Sequence, residues 1–484
     1  MSVSRHTAYN LVGQVIPILL SLVTVPFYLR LVGAERYGVL AIAWLLLGYF
    51  GLFDLGLGRA TAFRLAAQKD ASPQARANTL WAALIVNLLM GAVGSLVLWG
   101  AATLFFGTLF KVSADLKVEV AAAVPLLALT VPVATVTGVL TGAMQGRERF
   151  LEINVVNVIS TALFQLLPLG LAVVYGPRLP LLLLGALTAR GLAAAVLAYR
   201  CHLDLTRGRQ FRLDRDETLN LLKYGGWVNL TSIFGPVLFM MDRFTIGATL
   251  GATAVTDFTV PYQLAERTSI LSTSLVSALF PRLSSSSPEE RQALANRASL
   301  TVLALLSPLF LGGIYIMGPF LHIWVGQKLG SDAPWVGRYM LFAMWLNALA
   351  LIPFIRLQAS GRPDLVTKIL LAEIPPFLLT LFVAIHYFGL VGAAAAAMFR
   401  WTMDYALLTW FASRRFETWR LVLTNYLLLG AGIYFAGIWS FTDWRWWASA
   451  AALEAGVLLV SWRSLPPDLT VRAVHLLKDR LALT

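Results

Sequence analysis

The chain has 484 residues, of which 58% are hydrophobic and only 13% are charged. An ordinary soluble domain has about 25% charged residues, so this composition excludes a soluble globular protein and predicts a membrane protein. The single cysteine, Cys201, excludes a disulfide within the chain and a cysteine-based metal cluster. The net charge of +13 would favour nucleic acid in a soluble protein, but here the positions of the charges indicate membrane sidedness.

Apolar runs long enough to cross a bilayer, about 20 residues each, divide the chain into predicted helices. The first run follows Arg5, is longer than the apolar core of a signal peptide and precedes no cleavage site, so we expect a retained helix. We predict an all-α, polytopic integral membrane protein with about fourteen transmembrane helices. The predicted spans are residues 8–32, 36–63, 78–106, 119–142, 150–175, 179–199, 219–247, 253–281, 297–324, 336–358, 365–387, 390–412, 421–441 and 445–462.

The lysine and arginine residues lie mainly in alternate loops, all on one side of the predicted membrane. The largest basic segment, RCHLDLTRGRQFRLDRDE, covers residues 200–217. Loops rich in lysine and arginine stay in the cytoplasm. The sequence therefore predicts that both termini are cytoplasmic.

A weak internal repeat relates residues 31–46, LVGAERYGVLAIAWLL, to residues 249–264, TLGATAVTDFTVPYQL. Each segment passes a small-residue turn at the outer surface and enters the next helix. Chance similarity between apolar segments is the alternative, but a true repeat six helices apart would give two parallel lobes. The predicted parts are an N-terminal lobe (1–200), a basic cytoplasmic linker (201–218), a C-terminal lobe (219–412), and two extra helices with a cytoplasmic tail (413–484).

Motifs of enzymatic chemistry are missing from the sequence. No lysine follows a glycine, which excludes a phosphate-binding P-loop, and the five histidines have no metal-ligand spacing. The Asp-Arg-Asp at residues 214–216 resembles a metal–nucleotide motif, but its loop is too short for a nucleotide-binding domain. We therefore predict that the chain is not an enzyme and uses no cofactor or metal.

Charges near the end of the second span indicate an inner mouth. Residues 48–66, GYFGLFDLGLGRATAFRLA, place Asp54, Arg59 and Arg64 in an apolar run. Counting from Arg36 at about 1.5 Å per residue, Asp54 lies near the cytoplasmic face. A long arginine can reach the headgroups from there, whereas the short Asp54 needs a partner. We predict that Asp54 and Arg59 belong to an inner gate.

Deeper charges indicate a wet, positively charged cavity between the lobes. Arg190 lies near the middle of its span and has no carboxylate within one turn of its helix. A guanidinium suits a phosphate group, so we predict that the cavity binds an anion through Arg190, Arg267 and Arg400. Arg400 and Asp404 are four residues apart, and a self-neutralised structural pair is an equal alternative for them.

Three intramembrane carboxylates could couple transport to an ion gradient, because burial lets a carboxylate titrate in a useful pH range. They are Glu266, Asp404 and Glu454. The sequence does not distinguish among them, and protons and Na⁺ are both candidates for the coupling ion.

Residues 10–61 carry a resemblance to a known family. The turn LVGAERYG (31–38) and the segment FDLGLGRA (53–60) resemble the N-terminal signature of the polysaccharide-biosynthesis flippases. These O-antigen-type translocases belong to the superfamily that includes the multidrug and toxin extrusion exporters and the lipid II flippase. Residues 242–258, DRFTIGATLGATAVTDF, resemble the second-lobe entry more loosely.

The resemblance implies two six-helix lobes that alternate between inward-open and outward-open states. It implies a polyprenyl-pyrophosphate-linked oligosaccharide as cargo, the bacterial cytoplasmic membrane as location, and glycan polymerase machinery and membrane lipids as partners. Of the site candidates, Asp54 and Arg59 lie inside the matching block, whereas the others follow from depth alone.

Three other functions stay open on the sequence. A drug or small-metabolite antiporter of the same superfamily would share the fold. A membrane glycan polymerase or ligase would need a large outer loop with catalytic arginine or histidine, and the predicted outer loops are short. A non-catalytic scaffold of a glycan-synthesis complex is the third.

Overall fold

The structure is a computed structural model that describes residues 18–48, 56–212, 234–273, 279, 283, 285–413 and 418–465. Every regular element within these ranges is a helix. The helices are α1 (Ile18–Leu31), α2 (Ala34–Gly48), α3 (Leu57–Ala67), α4 (Pro73–Leu104), α5 (Ala114–Gly146), α6 (Phe150–Tyr175), α7 (Leu179–Cys201), α8 (Phe234–Thr249), α9 (Ala252–Arg267), α10 (Pro288–Val325), α11 (Ala333–Ala359), α12 (Pro363–Ser413), α13 (Trp419–Ile438) and α14 (Trp444–Ser464).

The length and apolar character of these helices fit a bilayer. Among the described residues, eight helical stretches are long and apolar enough to cross a membrane. One of them, α12, is interrupted at Gly389, whose positive φ of 58° turns the chain back on itself. The prediction of an all-α, multi-pass membrane protein is thereby confirmed.

Local sequence signals explain where several helices begin. Ser72 caps α4 by accepting a hydrogen bond from the backbone N–H of Ala75, and proline follows it at the first helical position. At the start of α10, Ser287 and Glu290 each accept a hydrogen bond from the other's backbone N–H. These caps define where α4 and α10 begin, just after polar loops.

By its internal contacts the chain divides into two compact units, residues 1–256 and 257–484. In the first unit, α5 packs against α3, α4 and α7, and α6 packs on α7. A Cβ atom on Gly142 would overlap the carbonyl oxygen of Gly58, so α3 and α5 touch backbone to backbone. Apolar side chains such as Leu57, Leu140 and Leu197 fill the core around this contact.

The second unit is built around α11, which packs on both α10 and α12 and buries most of its surface. Trp345, at the centre of α11, is fully buried and donates a 3.0 Å hydrogen bond to Ser307 Oγ of α10. The last two helices, α13 and α14, pack on each other and on α10. The lobe boundaries set out from the sequence stay a prediction.

Candidate functional site

Arg190 of α7 lies against an aromatic ring of the neighbouring helix α6. Its guanidinium carbon is 4.8 Å from the centre of the Phe164 ring, within the range of a cation–π contact. The side chain is half-buried, and the described residues of the first unit provide no carboxylate as an ion-pair partner. No described residue of the first unit therefore neutralises the positive charge of Arg190.

Beside Arg190, aromatic side chains from three helices pack against one another. Phe164 lies 6.0 Å from Trp44 of α2, and Trp44 lies 5.3 Å from Tyr28 of α1 and 5.7 Å from Tyr37. We call Arg190, Phe164, Trp44, Tyr28 and Tyr37 the aromatic–arginine cluster. Tyr37 and Trp44 are seven residues apart on one helix face, a spacing that could have revealed them in the sequence.

Hydrogen bonds hold part of this cluster in place and leave one donor unused. The hydroxyl of Tyr28 donates to the backbone oxygen of Gln165 at 2.7 Å, and Thr24 donates to the Gln165 side-chain oxygen at 2.7 Å. The buried indole N–H of Trp44 has no acceptor among the described residues. The cluster thus combines a cation, an indole donor and flat ring faces, which suits a ligand with anionic and ring-shaped parts.

The inner-gate candidates are only partly described. Asp54 lies outside the described residues. Arg59 is exposed in the first turn of α3, next to the close contact between Gly58 and Gly142. The glycines of this segment permit a close backbone approach, whereas a gate function for Asp54 and Arg59 stays a prediction.

The two turns of the internal repeat lie against each other within the first unit. Gly33 and Gly251, which align in the repeat, have positive φ angles of 81° and 96°. Thr256 donates a 2.6 Å hydrogen bond to the backbone oxygen of Ala34. At the equivalent position of the other turn, Gly38 approaches Ala252 so closely that a Cβ would overlap the Ala252 carbonyl oxygen. The contact is therefore reciprocal, as expected for repeats related by an approximate twofold axis.

Lys111, in the loop between α4 and α5, fastens the second of these turns. Its backbone N–H donates to Gly247 at 3.2 Å, and its backbone oxygen accepts from Ala252 at 3.1 Å. Its ammonium donates to the backbone oxygen of Thr249 at 2.7 Å. We call the contact surface of residues 33–38, Lys111 and residues 247–256 the turn latch.

Acidic residues fasten the first turn to its neighbours. Glu35 accepts hydrogen bonds from the backbone and the hydroxyl of Ser113 at 2.6 and 3.0 Å. Arg36 forms a two-pronged ion pair with Glu119 of α5 at 2.7 and 3.1 Å, and Glu119 also accepts from the backbone of Leu179 at 3.1 Å. The Glu and the Arg of the LVGAERYG turn therefore tie α2 to three other segments.

In the second unit, Arg400 and Asp404 lie beside an acid that was not predicted from the sequence. Glu373, in the first half of α12, is fully buried and lies 3.9 Å from Arg400. Its carboxyl is also within hydrogen-bonding reach of Asp404. We call Glu373, Arg400 and Asp404 the acid–arginine triad. Glu373 lies ten residues into its helix, so its expected depth in the membrane could have identified it from the sequence.

The remaining candidates belong to the second unit and are not part of the triad. Glu266 and Arg267 are exposed at the last two positions of α9, and Glu454 is half-buried in α14. The structure also buries Asp242 and Arg243, adjacent residues of α8 paired at 3.0 Å. This pair was not among the residues predicted from the sequence.

Comparison with known proteins agrees with the fold and with the N-terminal motif. The chain is 28% identical over 420 residues to a candidate O-antigen transporter of Shigella flexneri. The alignment covers 86% of this chain and 98% of that protein. It is 25% identical over 356 residues to the uncharacterized membrane protein EpsK of Bacillus subtilis, covering 69% of this chain and 67% of the relative.

Among solved structures, the lipid II flippase MurJ in an inward closed conformation has a TM-score of 0.71 at 13% identity, covering 96% of this chain and 99% of MurJ. An inward-facing multidrug resistance transporter of the MATE family has a TM-score of 0.65 at 14% identity, covering 87% of this chain and 95% of that one. At these identities the likeness shows a shared fold. The family model for polysaccharide biosynthesis proteins matches residues 3–287, more than half of the chain. The chain therefore belongs to the polysaccharide biosynthesis protein family.

Proposed function

We propose that the protein is a flippase that moves a polyprenyl-pyrophosphate-linked oligosaccharide across the bacterial cytoplasmic membrane by alternating access. Membership of the polysaccharide biosynthesis family and the likeness to a candidate O-antigen transporter support this class of cargo. The observation that carries the proposal is the aromatic–arginine cluster, because it places an available cation beside ring faces inside a membrane helix bundle.

The physical problem for such a cargo is its charged headgroup. An ion loses several kcal/mol or more of hydration when it enters hydrocarbon. A guanidinium in a wet cavity offsets that loss by binding a phosphate through two parallel hydrogen bonds. In our proposal Arg190 binds the pyrophosphate, and Trp44 and Phe164 bind the adjoining sugar rings. Arg267 is a further candidate for the cavity. For Arg400, burial beside Glu373 favours the alternative of a structural pairing with the nearby carboxylates.

The turn latch supplies the outer gate in this proposal. Its contacts join the ends of α1, α4 and α8 to the starts of α2, α5 and α9, at the predicted outer surface. Most of them are single hydrogen bonds, each contributing about 1 kcal/mol, so the latch can open and close during a transport cycle. Release of the oligosaccharide to the outer leaflet would require these contacts to break.

Orientation in the membrane is tested by reporter fusions. Fusions at residues 210 and 290 should report the cytoplasm, and one at residue 330 should report the periplasm, because lysine and arginine concentrate on the first side. A periplasmic signal at residue 210 would overturn the predicted helix count. Both termini are cytoplasmic in the proposed arrangement.

Deleting the gene in its host tests the cargo. The lipid-linked oligosaccharide should accumulate in the inner leaflet and the surface polysaccharide should disappear, while sensitivity to cationic drugs stays unchanged. Normal surface polysaccharide together with increased drug sensitivity would instead identify a drug antiporter. Lost polysaccharide with a normal distribution of the lipid-linked precursor would identify a polymerase, a ligase or a scaffold. The proposal also includes glycan polymerase machinery as a partner and an ion gradient as the source of energy.

A further inference from the structure

The acid–arginine triad lies deep in the membrane-spanning part of the second unit. Glu373 is ten residues from Pro363, and Arg400 is eleven residues from Gly389. At about 1.5 Å per residue, each side chain lies roughly 15 Å from its end of the helix. The hydrocarbon core is about 30 Å thick, so both side chains are close to its middle.

The surroundings of the triad cannot tolerate an uncompensated charge. Glu373 is 0% exposed and Arg400 is 5% exposed. The rings of Trp401 and Phe377 lie 4.5 and 5.7 Å from the guanidinium. Two ionised carboxylates and one guanidinium leave a net negative charge, which is costly in such an apolar site. One added proton makes the group neutral.

The hydrogen bonding of Glu373 also indicates that it and Asp404 hold one proton. Neither carboxylate oxygen of Glu373 accepts an N–H or hydroxyl hydrogen bond from a described residue, and 3.9 Å is too long for one from Arg400. Asp404 lies within hydrogen-bonding reach. Two ionised carboxylates are both acceptors and cannot bond to each other, whereas a protonated carboxyl supplies the missing donor.

Other titratable groups nearby do not replace this proton. The packed helix α11 carries Arg338 in its second turn and Arg356 in its last turn, at the two ends of the helix. The phenol of Tyr405, which follows Asp404 in the chain, is neutral at neutral pH and adds no charge. Arg400, 3.9 Å from Glu373 and one helical turn before Asp404, is the cation beside both acids.

We propose that Glu373 and Asp404 hold one proton between them beside Arg400, and that this proton is the ion exchanged during transport. A hard metal cation such as Na⁺ needs several oxygen ligands, and the guanidinium of Arg400 puts a positive charge where that ion would sit. The role of the proton rests on the proposed transport function, whereas the existence of the protonated pair does not depend on the cargo.

Infrared spectroscopy of the purified full-length chain in lipid nanodiscs detects the pair directly, because the carbonyl band of a protonated carboxyl shifts in D₂O. At neutral pH the wild-type protein should show the band of one buried carboxylic acid. Glu373→Gln and Asp404→Asn should each remove it, since Arg400 neutralises the one acid that is left. Arg400→Gln should strengthen the band, because the buried Glu373 and the half-buried Asp404 both keep their protons when no cation lies beside them.

Glu289→Gln, at the exposed start of α10, is the matched control and should leave the band unchanged. Absence of the band in the wild-type protein, or its persistence in both acid variants, overturns the proposal. Loss of the band when Na⁺ replaces K⁺ at constant ionic strength also overturns it and identifies a sodium site. If the wild-type protein shows the band, Glu373→Gln removes it and this variant still exports polysaccharide normally, the coupling role alone is overturned. Failure of the flippase function would be seen separately, in the gene deletion.

Discussion

Replacing Arg190 with alanine should abolish polysaccharide export and leave the amount of protein in the membrane unchanged. A structural arginine would be paired with a carboxylate, and its removal would leave that acid buried and uncompensated at a cost of about 3–5 kcal/mol. The described residues of the first unit give Arg190 no such acid. Among the described residues of the first unit, its removal costs the contact with Phe164, about 1 kcal/mol, whereas the cargo loses its charged ligand.

Arg190→Lys distinguishes a phosphate ligand from a general need for positive charge. An ammonium keeps the charge but cannot form two parallel hydrogen bonds, so export should be intermediate between wild type and alanine. Arg207→Ala, which removes an exposed arginine from the segment after α7, is the control and should export normally. Normal export by Arg190→Ala, or a loss of membrane protein that matches the loss of export, would contradict a role in cargo binding.

Replacing Gly38 with alanine should lower export by about tenfold or more, since a shift of 1.4 kcal/mol between two states changes their ratio tenfold. The added Cβ would overlap the carbonyl oxygen of Ala252, so the two repeat turns could not close as they do here. Displacing backbone in a packed contact costs about 1–3 kcal/mol. The transporter should then spend most of its time with the turn latch open.

Gly100→Ala is the matched control, because a Cβ at this helical glycine of α4 meets open space. It should export normally. Thr256→Val removes only the hydrogen bond to Ala34 and should have a smaller effect than Gly38→Ala. Unchanged export by Gly38→Ala would show that the latch need not close. Equal losses of protein and of export would show that Gly38 serves folding and not gating.

The sequence predicted the elements of the fold well, because bilayer thickness imposes a long apolar run on each helix. The predicted spans 119–142 and 150–175 correspond to α5 and α6, and a positive-φ glycine marks the turn at Gly33 as the motif implies. The repeat offset aligns Gly251 with Gly33, and both glycines have a positive φ. These features are local in the chain, so one sequence carries them.

Contacts between distant segments could not be predicted in the same way. Arg190 was selected for its depth, but its neighbour Phe164 lies on another helix and is one of many apolar residues there. Arg400 and Asp404 were recognised by their spacing of four residues, whereas Glu373 joins them only because the chain turns back at Gly389. Helix rotation and hairpin geometry decide such pairs, and no spacing rule covers them.

Flipping by the purified chain in lipid vesicles tests the central claim most directly. The vesicles would contain the lipid-linked oligosaccharide that accumulates in host cells lacking the gene, and a membrane-impermeant glycosidase would measure the fraction exposed outside. With wild-type protein the glycosidase should cleave nearly all of the lipid-linked oligosaccharide. With Arg190→Ala it should cleave only the fraction that lies in the outer leaflet, as in vesicles without protein. Equal accessibility with wild-type protein, with Arg190→Ala and without protein would contradict the account.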